Sequence, residues 1–130
     1  MIVYFAADLL WATRIREAAK QGSIPCRPVR SPDMLRARLA DSDVRAAIVD
    51  LDAPDVAFEL IRTLRDPGGP AAGRSIRIVA FGPHIATELL EQARAAGADA
   101  VLARGAFDRR LPEILAELGA AGGDGPGPPR

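Results

Sequence analysis

The feature that most constrains the fold of this chain is an alternation between short apolar runs and stretches with helical periodicity. The apolar runs are rich in β-branched residues and predict five buried strands, at residues 2–6, 24–29, 46–50, 76–81 and 100–103. Between and after them, apolar residues recur three or four positions apart, which predicts five amphipathic helices. Strands that alternate with helices form a parallel sheet covered on both faces, so we expect an α/β fold.

The order of the strands follows from the connections between them. Right-handed crossovers leave few topologies, and the doubly wound order 2-1-3-4-5 of flavodoxin-like folds suits five strands. Pro25 and Pro28 cannot donate hydrogen bonds to a sheet, so the second strand is expected at an edge, which agrees with this order. Ser31 directly before Pro32 is a strong signal for a helix that starts after that strand.

Binding sites of doubly wound sheets lie at the carboxyl ends of the strands, around the switch point between strands one and three. The candidate site residues are therefore those that end a predicted strand or closely follow one. They are Asp8, Asp50, Asp52, Gly82 and Arg104. We expect these residues to lie along one edge of the sheet.

The chain is predicted to hold one domain followed by a tail. Residues 1–118 carry all the predicted strands and helices. The last twelve residues, 119–130, hold five Gly and three Pro, and they bury too little apolar area to offset the entropy lost on ordering. We expect them to form a flexible tail or the stub of a linker.

Charge and cysteine content exclude several classes of protein. Seventeen Lys and Arg balance seventeen Asp and Glu, so the chain lacks the basic excess that binds nucleic acid or an anionic membrane. The apolar opening, 2–11, contains Asp8 and is too short to span a bilayer. A single cysteine, Cys26, cannot form an internal disulfide, and this favours the reducing cytoplasm.

Two segments of the chain carry a family resemblance. In IVDLDAP (48–54), an Asp is followed four residues later by Pro, and AGADAVLARGAF (96–107) combines an Ala-Gly-Ala turn with an apolar run and a basic residue. Both resemble motifs of the CheY-like receiver domains of response regulators, and the resemblance covers roughly residues 1–118. It implies a CheY-like fold with five helices, a role in two-component signalling, and Asp50 at the phosphoacceptor position.

The same resemblance implies an atypical member of that family. Receivers place two adjacent acids after strand one to hold Mg²⁺, and here the matching pair is 7–8 or 6–7, so at most one acid, Asp8, remains. Gly82 stands at the position of the switch Ser or Thr, Val101 at that of the switch aromatic residue, and Arg104 at that of the lysine. The residues that usually convert phosphorylation into a conformational change are thus missing. We therefore predict a pseudo-receiver, a protein-interaction module that needs no phosphorylation, has no enzymatic activity and uses no cofactor.

Three of the site residues have roles that the sequence leaves open. Asp8 could hold Mg²⁺ together with Asp50, or it could cap the first helix. Arg104 can form a two-pronged pair with a carboxylate or a phosphate, and we expect it to pair with Asp50 in the unmodified protein. Asp52 is expected on the rim of the site or in a solvated loop.

Two other functions stay open. The chain could be a phosphorylatable receiver, in which Asp50 attacks a phosphodonor while Asp8 and Asp50 hold Mg²⁺. The cleft could instead bind a small molecule such as a nucleotide or flavin. Against this second function, the turn after strand one lacks the Ser and Thr residues typical of flavodoxins, and no glycine loop that cradles phosphate is present.

Family analogy places the interaction surface on the fourth helix, fifth strand and fifth helix, where a protein partner or a second copy of the chain, as a homodimer, could bind. The apolar face of that fourth helix is predicted to carry Ile85, Leu89, Ala93 and Ala96. The candidates for the interaction surface are Glu88, Glu91, Arg94, Val101, Arg109, Arg110 and Glu113.

Three further residues are interpreted as structural. His84 is expected at the surface or in a cap at the start of the fourth helix. Cys26 has Arg27 and Arg30 nearby, which could lower the pKa of its thiol, but it lacks the Cys-x5-Arg loop of a phosphatase and is not expected to be a nucleophile. Trp11 lies on the apolar stripe of the first helix and is expected in the core.

Overall fold

The computed structural model describes residues 1–123, with side chains through residue 120. Ten elements alternate along this part of the chain: β1 (Ile2–Phe5), α1 (Leu9–Gln21), β2 (Cys26–Pro28), α2 (Pro32–Asp41), β3 (Ala46–Asp50), α3 (Pro54–Arg65), β4 (Arg77–Gly82), α4 (Thr87–Ala96), β5 (Ala100–Ala103) and α5 (Arg104–Gly123). The rest of the predicted tail, 124–130, lies outside the described residues.

The five strands form one parallel sheet in the order β2-β1-β3-β4-β5. This confirms the predicted fold class and strand order, with β2 at an edge. Helices α1 and α5 cover one face of the sheet, and α2, α3 and α4 cover the other. Because side chains alternate along a strand, Ile2 and Tyr4 join the apolar core under α1 and α5, whereas Val3 and Phe5 join the opposite core.

Strand β2 is shorter than predicted, Cys26–Pro28 instead of 24–29. The Ile24 N–H donates to the Ala19 carbonyl oxygen at 2.9 Å, so Ile24 belongs to the turn that ends α1. The prolines in this segment cannot donate to a neighbouring strand, and the ladder stays short at this edge. Strand β4 lies one residue later at both ends than the sequence pattern indicates, at Arg77–Gly82.

The segment before α4 departs from the sequence prediction. The helical spacing predicts that Ile85 lies on the apolar face of this helix, but α4 begins only at Thr87 and Ile85 is 79% exposed. The Ala86 N–H donates to the Pro83 carbonyl oxygen at 3.0 Å and closes a turn that places His84 and Ile85 at the surface. Helical spacing alone could not detect this turn.

Helix α5 starts at Arg104, directly after β5, and continues past Leu118 to Gly123. Its predicted apolar stripe is buried against the sheet, from Leu111 through Ile114 to Leu118. The predicted domain boundary at residue 118 therefore falls within a continuous helix. None of the helices in the described part of the chain is long and apolar enough to cross a membrane.

Candidate functional site

The ends of four strands bring the predicted site residues to one edge of the sheet. The loop after β1 leads to Asp8, β3 ends at Asp50, and β4 ends at Gly82. Strand β5 leads directly into Arg104, and Asp52 lies in the turn after β3. Because all strands run parallel, these positions share the carboxyl edge, where doubly wound folds hold their sites.

Asp50 is buried at the centre of this edge. Its side chain is 1% exposed, and among the residues whose side chains are described it is the one buried polar or charged residue. Its Oδ2 accepts the Ala7 N–H at 2.9 Å and its Oδ1 accepts the Asp52 N–H at 3.0 Å. Burial raises the pKa of Asp50, while these two hydrogen bonds and the nearby Arg104 guanidinium oppose the rise. The carboxylate therefore ties the loop after β1 to the turn after β3.

Asp8 is the N-cap of α1. Its Oδ1 accepts the Trp11 N–H at 2.9 Å, and its backbone is extended, as an N-cap requires. Of the two roles that the sequence left open for Asp8, the described geometry is that of the cap. The carboxylate satisfies one of the N–H groups that have no partner within the first turn of a helix.

Arg104 does not pair with Asp50 as predicted. Its Nη2 lies 3.3 Å from Asp52 Oδ1, and both side chains of this pair are partly exposed. Asp50 is already bonded through both oxygens and lies deeper, so a pair with it would bury the guanidinium as well, at a larger desolvation cost. The Nε of Arg104 is buried and makes no hydrogen bond to a described residue.

The two positions that match the receiver switch carry no polar side chain. Gly82 is buried, and a Cβ at this position would lie 3.3 Å from Leu51 Cβ, so close packing favours a residue without a side chain. Val101 is half-buried and packs against the core under α2, α3 and α4. Neither residue can donate a hydrogen bond from its side chain to a phosphoryl oxygen.

The carboxylates predicted to hold Mg²⁺ are Asp8 and Asp50. Mg²⁺ needs near-octahedral oxygen ligands, usually one or two carboxylates plus phosphate and water. Both carboxylates already accept backbone N–H groups, and no group of three His, Cys, Asp or Glu side chains within residues 1–120 is placed to hold a metal. This donor set fits Mg²⁺ poorly, and magnesium binding at this edge stays a prediction.

A groove of about 510 Å³ lies beside the site, between the start of α1, the turn before α4 and the start of α5. Two apolar side chains on its walls, Leu10 and Ile85, are 58% and 79% exposed. An ion pair between Arg14 and Asp108, at 2.6 Å, stands beside them. Sequence reasoning missed this groove, although the run Leu9-Leu10-Trp11 is a signal, because three consecutive helical residues cannot all face one core.

The charged residues of the predicted interaction surface are all exposed. Glu91 and Arg94 form an ion pair of 3.7 Å within α4, and Arg110 and Glu113 form one of 3.3 Å within α5. Pairs this exposed contribute little to stability and can exchange their partners.

Cys26 and His84 lie outside the Asp50 site. Burial raises the pKa of the Cys26 thiol to about 12, so the lowering that Arg27 and Arg30 could have caused does not occur. The thiol faces the apolar side of the sheet edge, where desolvation disfavours the thiolate and the positively charged N-terminus opposes this effect only in part. His84 is exposed in the turn before α4 and lines the groove beside Ile85.

Comparison with known proteins identifies this architecture. No family model matches the sequence, and no curated protein matches it. A response regulator from Thermotoga maritima has a similar structure, with a TM-score of 0.69 and 13% sequence identity over 92% of this chain and 97% of that one. The fold is that of response-regulator receiver domains.

Two other solved structures show how far the fold can be used to infer function. A response regulator protein from Burkholderia pseudomallei, solved with a phosphorylated aspartic acid, calcium ion and citrate, has a TM-score of 0.64 and 21% identity over 89% of this chain and 71% of that one. A de novo designed Rossmann 2x3 fold protein has a TM-score of 0.66 and 14% identity over 95% of this chain and 91% of that one. A protein designed from scratch is thus about as similar to this chain as the receiver domains are, and function must be argued from the site.

Proposed function

We propose that this chain is an atypical receiver domain, a pseudo-receiver, that acts in signal transduction through protein contacts and without phosphorylation. The observation that carries the proposal is that Asp50 is buried and hydrogen-bonded through both carboxylate oxygens. Its carboxylate is 1% exposed, and both of its oxygens accept backbone N–H groups of the loops on either side. The receiver fold supports the signalling role, and the bonded carboxylate supports a structural use of the phosphoacceptor position.

The surroundings of Asp50 support the same reading. An aspartate that attacks a phosphodonor needs an accessible oxygen, and cations must offset the charge of the incoming group. The guanidinium of Arg104 pairs with Asp52 instead, and Gly82 has no hydroxyl for a phosphoryl oxygen. We accordingly propose a non-enzymatic protein that needs no cofactor, resides in the cytoplasm, and binds neither nucleic acid nor membrane.

Phosphorylation is tested by intact mass spectrometry after incubation with acetyl phosphate and Mg²⁺. We expect no phosphoryl adduct on the wild-type chain. Asp50→Asn is measured beside it, with Asp41→Asn as the matched control, because Asp41 is an exposed aspartate at the end of α2. An adduct that persists in Asp41→Asn and disappears in Asp50→Asn would refute the proposal.

That refuting outcome would establish the second candidate function, a phosphorylatable receiver. Its support is the position of Asp50 at the end of β3, together with the phosphorylated aspartic acid in the Burkholderia pseudomallei structure of the same fold. In that case Asp8 and Asp50 would hold Mg²⁺. A nucleotide or flavin that co-purifies with the chain in native mass spectrometry would instead favour the small-molecule alternative.

The form of protein contact that we propose first is a homodimer through α4, β5 and α5. Its support is the row of exposed charges of both signs on this surface, which a two-fold arrangement can pair across the interface. Sedimentation velocity tests it. We expect a dimer for the wild type, dissociation in Arg94→Glu, and an unchanged dimer in Arg62→Glu, whose exposed side chain lies on α3. A monomeric wild type would leave a different protein as the partner.

A further inference from the structure

A second pocket, separate from the Asp50 site, lies at the free edge of the sheet. It is enclosed by α1, the end of β1, strand β2 and the residues that follow β2, and its volume is about 320 Å³. Strand β2 pairs only with β1, so this side of the sheet is not covered by another strand. A volume of this size falls at the lower end of the range typical of small-molecule sites.

Positive charge is concentrated on the walls of this pocket. Arg16 of α1, Arg27 of β2 and Arg30 after β2 line it, and no Asp or Glu does. Glu17 lies 3.8 Å from Arg16, in an exposed pair, while Arg27 and Arg30 form no ion pair with any residue through 120. The chain as a whole is neutral, so these arginines are a local departure from its balance. Arg27 pairs with Val3 and points to the face opposite Tyr4, so Arg16 and Arg30 are the guanidinium groups on the Tyr4 side. An anion between them would relieve their mutual repulsion.

A tyrosine hydroxyl is available to the same pocket. Tyr4 is 4% exposed and lines the pocket, and its hydroxyl makes no hydrogen bond to a described residue. Burial raises the pKa of Tyr4, the neighbouring Cys26 adds to the rise, and Arg16 and Arg30 oppose it. The hydroxyl therefore keeps its proton at neutral pH and is a donor without a protein acceptor. Among the side chains described, the buried polar atom without a hydrogen bond is Arg104 Nε, so the Tyr4 oxygen reaches solvent and is free to donate to a ligand in the pocket.

The remaining walls of the pocket are apolar. Leu9 and Ala12 of α1 and Val29 after β2 contribute them. Leu9 is 78% exposed, so its side chain is available to an apolar group of a ligand in this pocket. A ligand that fits would thus carry an anionic group at the arginines and a small apolar or aromatic part beside Leu9.

We propose that this pocket binds a small phosphate monoester that bears an apolar or aromatic group. Arg forks bind phosphate through two parallel hydrogen bonds, and a phosphate monoester carries close to two negative charges at neutral pH, which suits the guanidinium groups of Arg16 and Arg30 better than a carboxylate does. The Tyr4 hydroxyl would donate to a third phosphate oxygen. This site uses none of the residues around Asp50, so the binding proposal does not depend on the proposed function.

The test is a titration of the full chain with phenyl phosphate at constant ionic strength, followed by the backbone amide NMR signals of residues 26, 27, 29 and 30. Phenyl sulfate is the matched control ligand, because it has the same shape and one charge fewer. We expect saturable shifts with phenyl phosphate and at least tenfold weaker binding of phenyl sulfate. Equal affinity for both ligands, or no saturable shift, would overturn the proposal.

Two variants assign the binding to the pocket. Arg30→Gln and Tyr4→Phe are each expected to weaken phenyl phosphate binding about tenfold, because each removes a hydrogen bond to a charged group. Tyr4→Phe keeps the ring in the core, and Arg30 is exposed, so both variants should fold. Arg62→Gln, on the opposite face of the sheet, is the control and should bind as the wild type does. Unchanged affinity in both pocket variants would contradict the assignment.

Discussion

At the scale of single residues, the balance of forces on Asp50 decides what the carboxyl edge can do. Two backbone N–H groups donate to its oxygens, and such bonds favour the charged form. Burial disfavours the charged form, and it has the larger effect, since the pKa of Asp50 is raised above its ordinary value. Asp50 therefore joins two loops at the cost of a desolvated charge.

This balance predicts how stability depends on pH. Because the folded pKa of Asp50 lies above its unfolded value, the native state binds more protons than the unfolded state between the two values. The contribution of Asp50 to the free energy of unfolding is thus most favourable below the unfolded pKa and falls as the pH rises through the folded pKa. Asp50→Asn removes this dependence. Urea unfolding of both proteins across acidic pH measures it.

The expected result is a pH-dependent difference in stability between the wild type and Asp50→Asn. The wild type is expected to lose stability relative to Asp50→Asn as the pH rises from strongly acid to neutral, and the difference is then constant. Asp50→Asn also replaces one acceptor oxygen by an amide donor, which costs about 1 kcal/mol at every pH and leaves the slope unchanged. A difference that changes in the opposite direction with pH would show that the pKa of Asp50 is lowered by folding.

Asp8 contributes to stability as a helix cap. Asp8→Ala is expected to lower the free energy of unfolding by about 1 kcal/mol, because the Trp11 N–H loses its acceptor. Ser31→Ala is the matched control, since Ser31 Oγ caps α2 by accepting the Met34 N–H. Asp8→Asn should restore most of the loss. If added Mg²⁺ stabilised the wild type but not Asp8→Asn, Asp8 would be a metal ligand in addition.

At the scale of elements, one arginine joins three segments at the amino edge of the sheet, which is the edge opposite the site. Arg65, at the end of α3, donates to the Gly97 carbonyl oxygen at 3.0 Å, to the Ile76 carbonyl oxygen at 2.8 Å and to Asp99 at 2.8 Å. Asp99 Oδ2 also accepts the Ile78 N–H at 2.7 Å. This network holds the end of α3 against the start of β4 and the turn that leads into β5.

The network predicts that lysine cannot replace Arg65. A lysine keeps the charge but cannot donate from three nitrogens in a planar fork, so Arg65→Lys is expected to lower stability by about 2 kcal/mol. The exposed Arg62 on the same helix is the control, and Arg62→Lys should change stability by less than about 0.5 kcal/mol. Chemical denaturation measures both. Equal effects at the two positions would mean that the network contributes nothing measurable.

At the scale of the whole molecule, the end of α5 decides how much of the chain belongs to the folded unit. The helix continues past Leu118 to Gly123, and Leu118 and Gly119 border a small cavity beside Ile2 and Ile24. Leu118 and Gly119 thus lie beside the start of β1 and the residues before β2. A boundary placed by composition at residue 118 would cut through this contact.

Truncation tests this boundary. A chain that ends at residue 118 is expected to be less stable than the full chain by about 1 kcal/mol, because the last helical carbonyls lose their partners and a new carboxylate stands at the negative end of the helix dipole. A chain that ends at residue 123 should be as stable as the full chain, since 124–130 consist mainly of Gly and Pro. Thermal unfolding of the three chains compares them. Equal stability of all three would support the boundary at residue 118.

The sequence by itself determined the architecture, because the signals for it are local. Hydrophobic periodicity identifies strands and helices one segment at a time, the prolines around β2 exclude it from the centre of the sheet, and the apolar run of β3 ends in Asp50. Chain connectivity and handedness then leave the observed strand order.

Only the tertiary structure decided which side chains meet. Arg104 could reach Asp50 or Asp52, and the choice of Asp52 depends on how deeply each carboxylate is buried. Ile85 follows the helical pattern of α4, yet the turn at Pro83 places it in solvent. The basic pocket gathers residues from β1, α1 and β2 that no local pattern relates. Desolvation and ion pairing depend on distances through space between residues remote in sequence, so they emerge only when the chain has folded.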